Sequence, residues 1–147
     1  MGLPFRFQPV PLESLFSTDM KGVSSMRVAI HGSPKWVRKD VIMNVLKALS
    51  PTLLIEGGRI GAERIAYQCA KELQIPTKTF NAQWDIYHSK AGIVQREEII
   101  QEGRPEVVIV FCSDISRYLS VQRMIARAKK YYIPVKCYNY KGEEYEA

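Results

Sequence analysis

Five short apolar runs punctuate this chain, and a segment of helical spacing separates each from the next. The runs are 27–31, 52–56, 77–80, 106–112 and 133–138. Between them lie the helical segments 35–49, 62–73, 85–102 and 119–131. Val37, Val41, Ile42, Val45, Leu46 and Leu49 share one face of the first, and Ile65, Ala66, Cys69, Ala70 and Leu73 one face of the second. Val121, Met124, Ile125 and Ala128 do the same in the last. Strands joined through helices become parallel neighbours, because a parallel pair needs a long crossover. The run EVVIVFC at 106–112 shows no polar alternation, which fits a central strand covered on both faces. Right-handed crossovers then predict an α/β fold, a doubly wound parallel five-stranded sheet in the order 3-2-1-4-5. Its switch point falls between the first and fourth strands, and ligands of such sheets bind at the carboxyl ends of the strands near that point.

The chain has 147 residues, one domain's worth. We expect that domain at 26–140. Residues 1–25 precede it, with Pro4, Pro9 and Pro11 barring a regular start. They read as a disordered leader, or as an arm whose Phe5, Phe7, Leu12, Leu15 and Phe16 dock on a partner or a second subunit in a homodimer. Residues 141–147, KGEEYEA, read as a frayed acidic tail. No apolar run has the length of a membrane span, and no basic segment leads into an apolar core at the N-terminus, so neither membrane nor secretion is expected. Cys69, Cys112 and Cys137 are odd in number and widely spaced, which suits reduced thiols in a cytoplasmic protein and implies no metal. The net charge of +6 suits an anionic ligand or nucleic acid, and equally a solvated basic face.

Three loops meet at the expected ligand edge. The first is His31-Gly32-Ser33-Pro34, the second Gly57-Gly58-Arg59-Ile60-Gly61, the third runs from Cys112 through Ser113, Asp114 and Ser116 to Arg117. Glycines there let backbone N–H groups approach an anion, and the following helix adds its positive end. Arg59 and Arg117 have the forked guanidinium that clamps a phosphate. A bare tight turn is the competing explanation for Gly57 and Gly58. GGRIG is not GxGxxG and follows the second strand, so a nicotinamide dinucleotide site is not expected; no GxxxxGK[ST] is present either. Glu56 is the candidate for a ribose hydroxyl, and Trp84 and Tyr87 are candidates for stacking on a base or for core and interface packing. His31 is read as a satisfied polar residue at a strand end, with a catalytic role as the lesser alternative. Arg117, Arg123, Arg127, Lys129 and Lys130 form a basic helix whose default role is a solvated face.

The segments HGSPKW (31–36), LIEGGRIGAER (54–64), IPTKTFNAQWDIYHSKAGIVQREEI (75–99), PEVVIVF (105–111) and AKKYYIPV (128–135) carry a resemblance. Together they resemble the SLOG superfamily, nearest the YspA-type, YpsA-related branch, across residues 26–138. Relatives include the DprA DNA-processing proteins and the LOG phosphoribohydrolases. The resemblance implies a Rossmann-like fold that holds a nucleotide or nucleotide-derived ligand in the cleft just described. It departs at three places. CSDISRYLS (112–120) stands where the family has a glycine-rich loop, Gln95-Arg96 where an Arg-Asn pair is usual, and Gly32-Ser33-Pro34 where Gly-Gly-Arg is usual. The Glu that LOG enzymes place after their glycine loop has no counterpart near Gln122, and an amide cannot serve as a carboxylate acid or base. The expected function is therefore binding, through Gly32, Ser33, Glu56, Gly57, Gly58, Arg59, Gly61, Arg96, Ser113, Ser116 and Arg117, with no cofactor. An N-glycosidase of nucleotides and a DprA-like nucleic-acid binder are the alternatives.

Overall fold

The computed structural model describes residues 17–18 and 24–147. The proposed docking residues Phe5, Phe7, Leu12, Leu15 and Phe16 lie outside them. Ser17–Thr18 and Ser24–Ser25 pair as a short antiparallel ladder ahead of the main sheet. The sheet itself holds β1 (Arg27–Gly32), β2 (Leu53–Glu56), β3 (Thr77–Thr79), β4 (Val107–Phe111), β5 (Val135–Tyr138) and β6 (Glu144–Tyr145), in the order 3-2-1-4-5-6. The first five strands are parallel, as expected, and the fold is a Rossmann-like α/β domain.

Helices α1 (Lys39–Leu49) and α2 (Ala62–Glu72) cover one face of the sheet. They pack Ile42, Leu46, Ala66 and Cys69 against Met26, Val28 and Ile30. After a short helix α3 (Trp84–Tyr87), helices α4 (Ala91–Gln101) and α5 (Leu119–Lys130) cover the other face. There Ile99, Val121, Met124 and Ala128 meet Ala29, Ile55, Val108 and Val110. The split follows the period of two along β1, which sends Val28 and Ile30 to one face and Ala29 to the other. Every residue of β4 is buried, as a strand between two others and two helix layers requires. Among the described residues no helix is long and apolar enough to cross a membrane.

Three details differ from the sequence reading. The first helix begins at Lys39, four residues later, so Val37 precedes it and is 71% exposed instead of facing the core. The third helical segment is not continuous. His88 takes φ +52°, the chain passes through a 3-10 turn at His88–Lys90, and α4 starts afresh at Ala91. Finally, Glu144–Tyr145 is a strand, antiparallel to β5, with Cys137 opposite Tyr145 and Tyr138 opposite Glu144. Asn139 makes the reversal: its Oδ1 accepts the N–H groups of Lys141 and Glu143, and Gly142 takes φ +87°. The Tyr145 hydroxyl donates to the carbonyl of Cys112, and Lys136 Nζ lies 3.2 Å from Glu144.

Candidate functional site

The turn from β2 into α2 explains its own glycines. A Cβ on Gly57 would sit 2.5 Å from Gln95 Nε2 and 2.9 Å from Glu63 Oε1. Gly61 takes φ +96°, and a Cβ there would lie 2.4 Å from the carbonyl oxygen of Ser33. The glycines therefore let the turn pass closely between α4 on one side and the β1 loop on the other.

Buried polar side chains fix the turn from within. Glu63 Oε1 accepts the N–H of Gly57 at 2.9 Å and, more distantly, that of Arg59. Its other oxygen lies 2.8 Å from His31 Nδ1, with both side chains buried. Gln95 Nε2 donates to the carbonyls of Gly57 (3.0 Å) and Phe80 (2.9 Å). Glu56 Oε1 accepts from Gly58 N–H, and its Oε2 from the Thr79 hydroxyl. The two carboxylates respond differently. Burial pushes Glu56 up, and the bonds from Thr79 and Gly58 only partly oppose it. Burial also acts to raise Glu63, but His31, the Gly57 N–H and Arg59 together hold its carboxyl below the ordinary value.

Beside this turn lies a cleft of about 380 Å³, within the range of small-molecule sites. Gly57, Gly58 and Arg59 form one wall, Gly92, Gln95 and Arg96 of α4 another, and Ser120 and Arg123 of α5 a third. Asn81, Ala82 and Trp84, the last 60% exposed, line it as well. His31 borders it while only 4% exposed, and among the described residues neither of its ring nitrogens has a hydrogen-bond partner, Nδ1 standing only at ion-pair distance from Glu63. Burial and then the like charges of Arg123, Arg127 and Arg59 lower the pKa of Arg96. Among the described residues no carboxylate lies within ion-pair distance of Arg59, Arg96 or Arg123. The cleft is an electropositive cavity with an aromatic side chain at its mouth.

The residues singled out from sequence divide. Gly57, Gly58, Arg59, Arg96 and Trp84 come together in this cleft. Ser33, Ser113 and Arg117 line a separate depression of about 340 Å³ with Lys35, Trp36 and Tyr140, and the two share no lining residue. Ser113 Oγ there accepts the N–H of Tyr140, while the Ser116 hydroxyl donates to Asp114. Gly32 is pressed against β4, where a Cβ would fall 2.3 Å from the Phe111 carbonyl oxygen. Gly61 serves packing, and Glu56 is buried under the turn. Tyr87 is 39% exposed and does not line the cleft. Sequence reasoning passed over His31, Gln95 and Arg123 as site residues. Gln95 had a signal, since a glutamine beside an arginine replaced the usual Arg-Asn pair. Arg123 had none, because helical spacing alone did not separate it from the solvated face of α5. No protein-family model, curated protein or solved structure matches the chain.

Proposed function

We propose that this domain is SLOG-like, of the YspA-type, YpsA-related branch, and binds a nucleotide or nucleotide-derived ligand in the Arg59–Arg96–Arg123 cleft without turning it over. The observation that carries the reading is the set of three guanidiniums without carboxylate partners, gathered around a glycine turn that buried side chains hold rigid. Arginines that share a cleft repel one another, and a phosphate relieves the repulsion through paired, charge-assisted hydrogen bonds. His31 Nε2 is a further polar group at the cleft, without a hydrogen-bond partner among the described residues. Trp84 offers a flat face to a base.

Binding is favoured over N-glycosidase chemistry by the fate of the nearby carboxylates. Glu56 and Glu63 are both buried and already accept hydrogen bonds from the turn. Gln122 donates its amide to the carbonyls of Ile115 and Ser116 and lies outside the cleft lining. Among the described residues no carboxylate lines the cleft to serve as the acid or base at a glycosidic bond. Three buried free thiols fit a reducing, cytoplasmic setting.

The test is mass spectrometry of small molecules released on denaturing freshly purified protein, beside an Arg59→Ala/Arg96→Ala variant. An intact nucleotide-type compound carried by the native chain and lost from the variant is the expected result. Free base and ribose phosphate would restore the enzyme reading. Nothing released, with no thermal shift across a nucleotide panel, would overturn the binding proposal.

A further inference from the structure

A second depression continues the cleft. It measures about 410 Å³, lies between α4 and α5, and is lined by Ile93, Arg96, Arg123, Ala126, Arg127 and Lys130. Ile93, Arg96 and Arg123 belong to both cavities, so the two join at those side chains. The combined groove is polar in the sense of having two unlike ends. Asn81, Ala82 and Trp84 give one end no charge. Arg127 and Lys130 give the other end two cations.

The charges along it do not balance. Arg59, Arg96, Arg123, Arg127 and Lys130 carry five positive charges. Glu97, 2.8 Å from Arg127 Nε, supplies the single ion-paired carboxylate among the described residues there. Four positive charges remain. A phosphate monoester brings at most about two negative charges near neutral pH, which leaves half the groove unmatched. A chain of two or three phosphates brings about three or four.

We infer that the ligand is a nucleoside bearing a chain of two or more phosphates, its base at the Trp84 end and its terminal phosphate between α4 and α5, at Arg123, Arg127 and Lys130. This rests on the nucleotide reading above and adds the ligand's class and direction. The loop after β4, where the sequence placed the phosphate, has no part in it: Ser113 and Arg117 lie in the separate depression.

Isothermal titration with adenosine and guanosine mono-, di- and triphosphates tests it, on the native chain and on Lys130→Gln and Arg127→Ala/Lys130→Gln variants. Thermal melts check that each variant folds, and Lys130 is exposed enough that its substitution leaves the core alone. Within one base series, affinity is expected to rise by about tenfold per added phosphate, the scale of one charge-assisted hydrogen bond. The triphosphate-to-monophosphate ratio is expected to fall toward one in the double variant. Equal affinity across a series, or a ratio unchanged in the folded variants, overturns this inference and leaves the nucleotide reading standing. Binding of a short single-stranded oligonucleotide with no binding of any mononucleotide overturns both.

Discussion

Glu63 Oε2 stands 2.8 Å from His31 Nδ1, and its other oxygen accepts the N–H of Gly57. One buried carboxylate thus ties the end of β1, the glycine turn and the start of α2 together.

Glu63→Gln breaks the junction while keeping its size. Replacing the charged acceptor of the Gly57 N–H by a neutral amide costs about 1.5–3 kcal/mol. The pH dependence gives the sharper signature. Glu63 has its folded value below 4.5, so its stabilisation is full above that pH and disappears as the pH falls through the folded value. Glu56, raised above 4.5 by burial, has the opposite sign: stability falls as the pH climbs from 4.5 through its folded value. Melting temperatures from about pH 3 to pH 7 should therefore lose part of their acid limb in Glu63→Gln, leaving the Glu56 trend exposed. An acid limb identical to the native one would refute the role given to Glu63.

The two turn glycines should differ in cost. At Gly57 the nearest atoms to an added Cβ are the ends of the Gln95 and Glu63 side chains, which can shift, so Gly57→Ala should cost about 1–3 kcal/mol. At Gly61 the nearest atoms are backbone of Ser33 and Pro34, and φ is +96°. Strain of about 1–3 kcal/mol is added there to a contact that cannot yield. Urea unfolding should rank Gly61→Ala as the less stable variant; the reverse order would contradict the packing described.

Arg96→Met should stabilise the empty protein while weakening ligand binding. The stem still covers the cleft wall, and the repulsion from Arg123, Arg127 and Arg59 disappears. A gain of about 1 kcal/mol is expected in thermal unfolding, with loss of at least about tenfold in affinity for whatever anion the cleft holds. A variant that is less stable and binds as before would show that Arg96 serves the fold instead.

Tyr145→Phe removes the hydroxyl that donates to the Cys112 carbonyl, at a cost of about 1 kcal/mol. Cys137, opposite Tyr145 in the ladder, is pushed up to about 11 by burial, with Cys112 adding to it. Its thiol should react slowly with a disulfide reagent in the native chain and measurably faster in the variant. Equal rates would mean that β6 does not guard that position.

What the sequence disclosed depended on how periodic each signal was. Val28, Ile30, Ile42 and Leu46 announce their faces by spacing alone, so the strand order and the helix layers could be read ahead. Lys78 and the threonines beside it made β3 weaker but still placed it by position in the alternation. Glu144–Tyr145 failed that test because two residues carry no period, and the charges around them resemble a solvated end. Asn139 and Gly142 were the signal that a reversal follows β5. The site was harder. The glycine turn was visible as a motif, but the residues that hold it, Gln95 and His31, come from α4 and β1 and meet it only in three dimensions. The loop after β4 misled for a related reason: Ser113 and Arg117 sit at the expected edge, yet they line a hollow with Trp36, Tyr118 and Tyr140 that shares no residue with the cleft.

The short strand β6 has an effect out of proportion to its two residues. A strand with unpaired N–H and carbonyl groups along one side is a template on which another chain can pair. By folding back on β5, the C-terminal hairpin shields part of that rim of the sheet. At the opposite rim stands β3, three residues long, with Lys78 at its centre. So brief a rim, with a cation in its middle, is poorly suited to docking a second sheet, and copies of this domain that associate would be steered to do so through their helices.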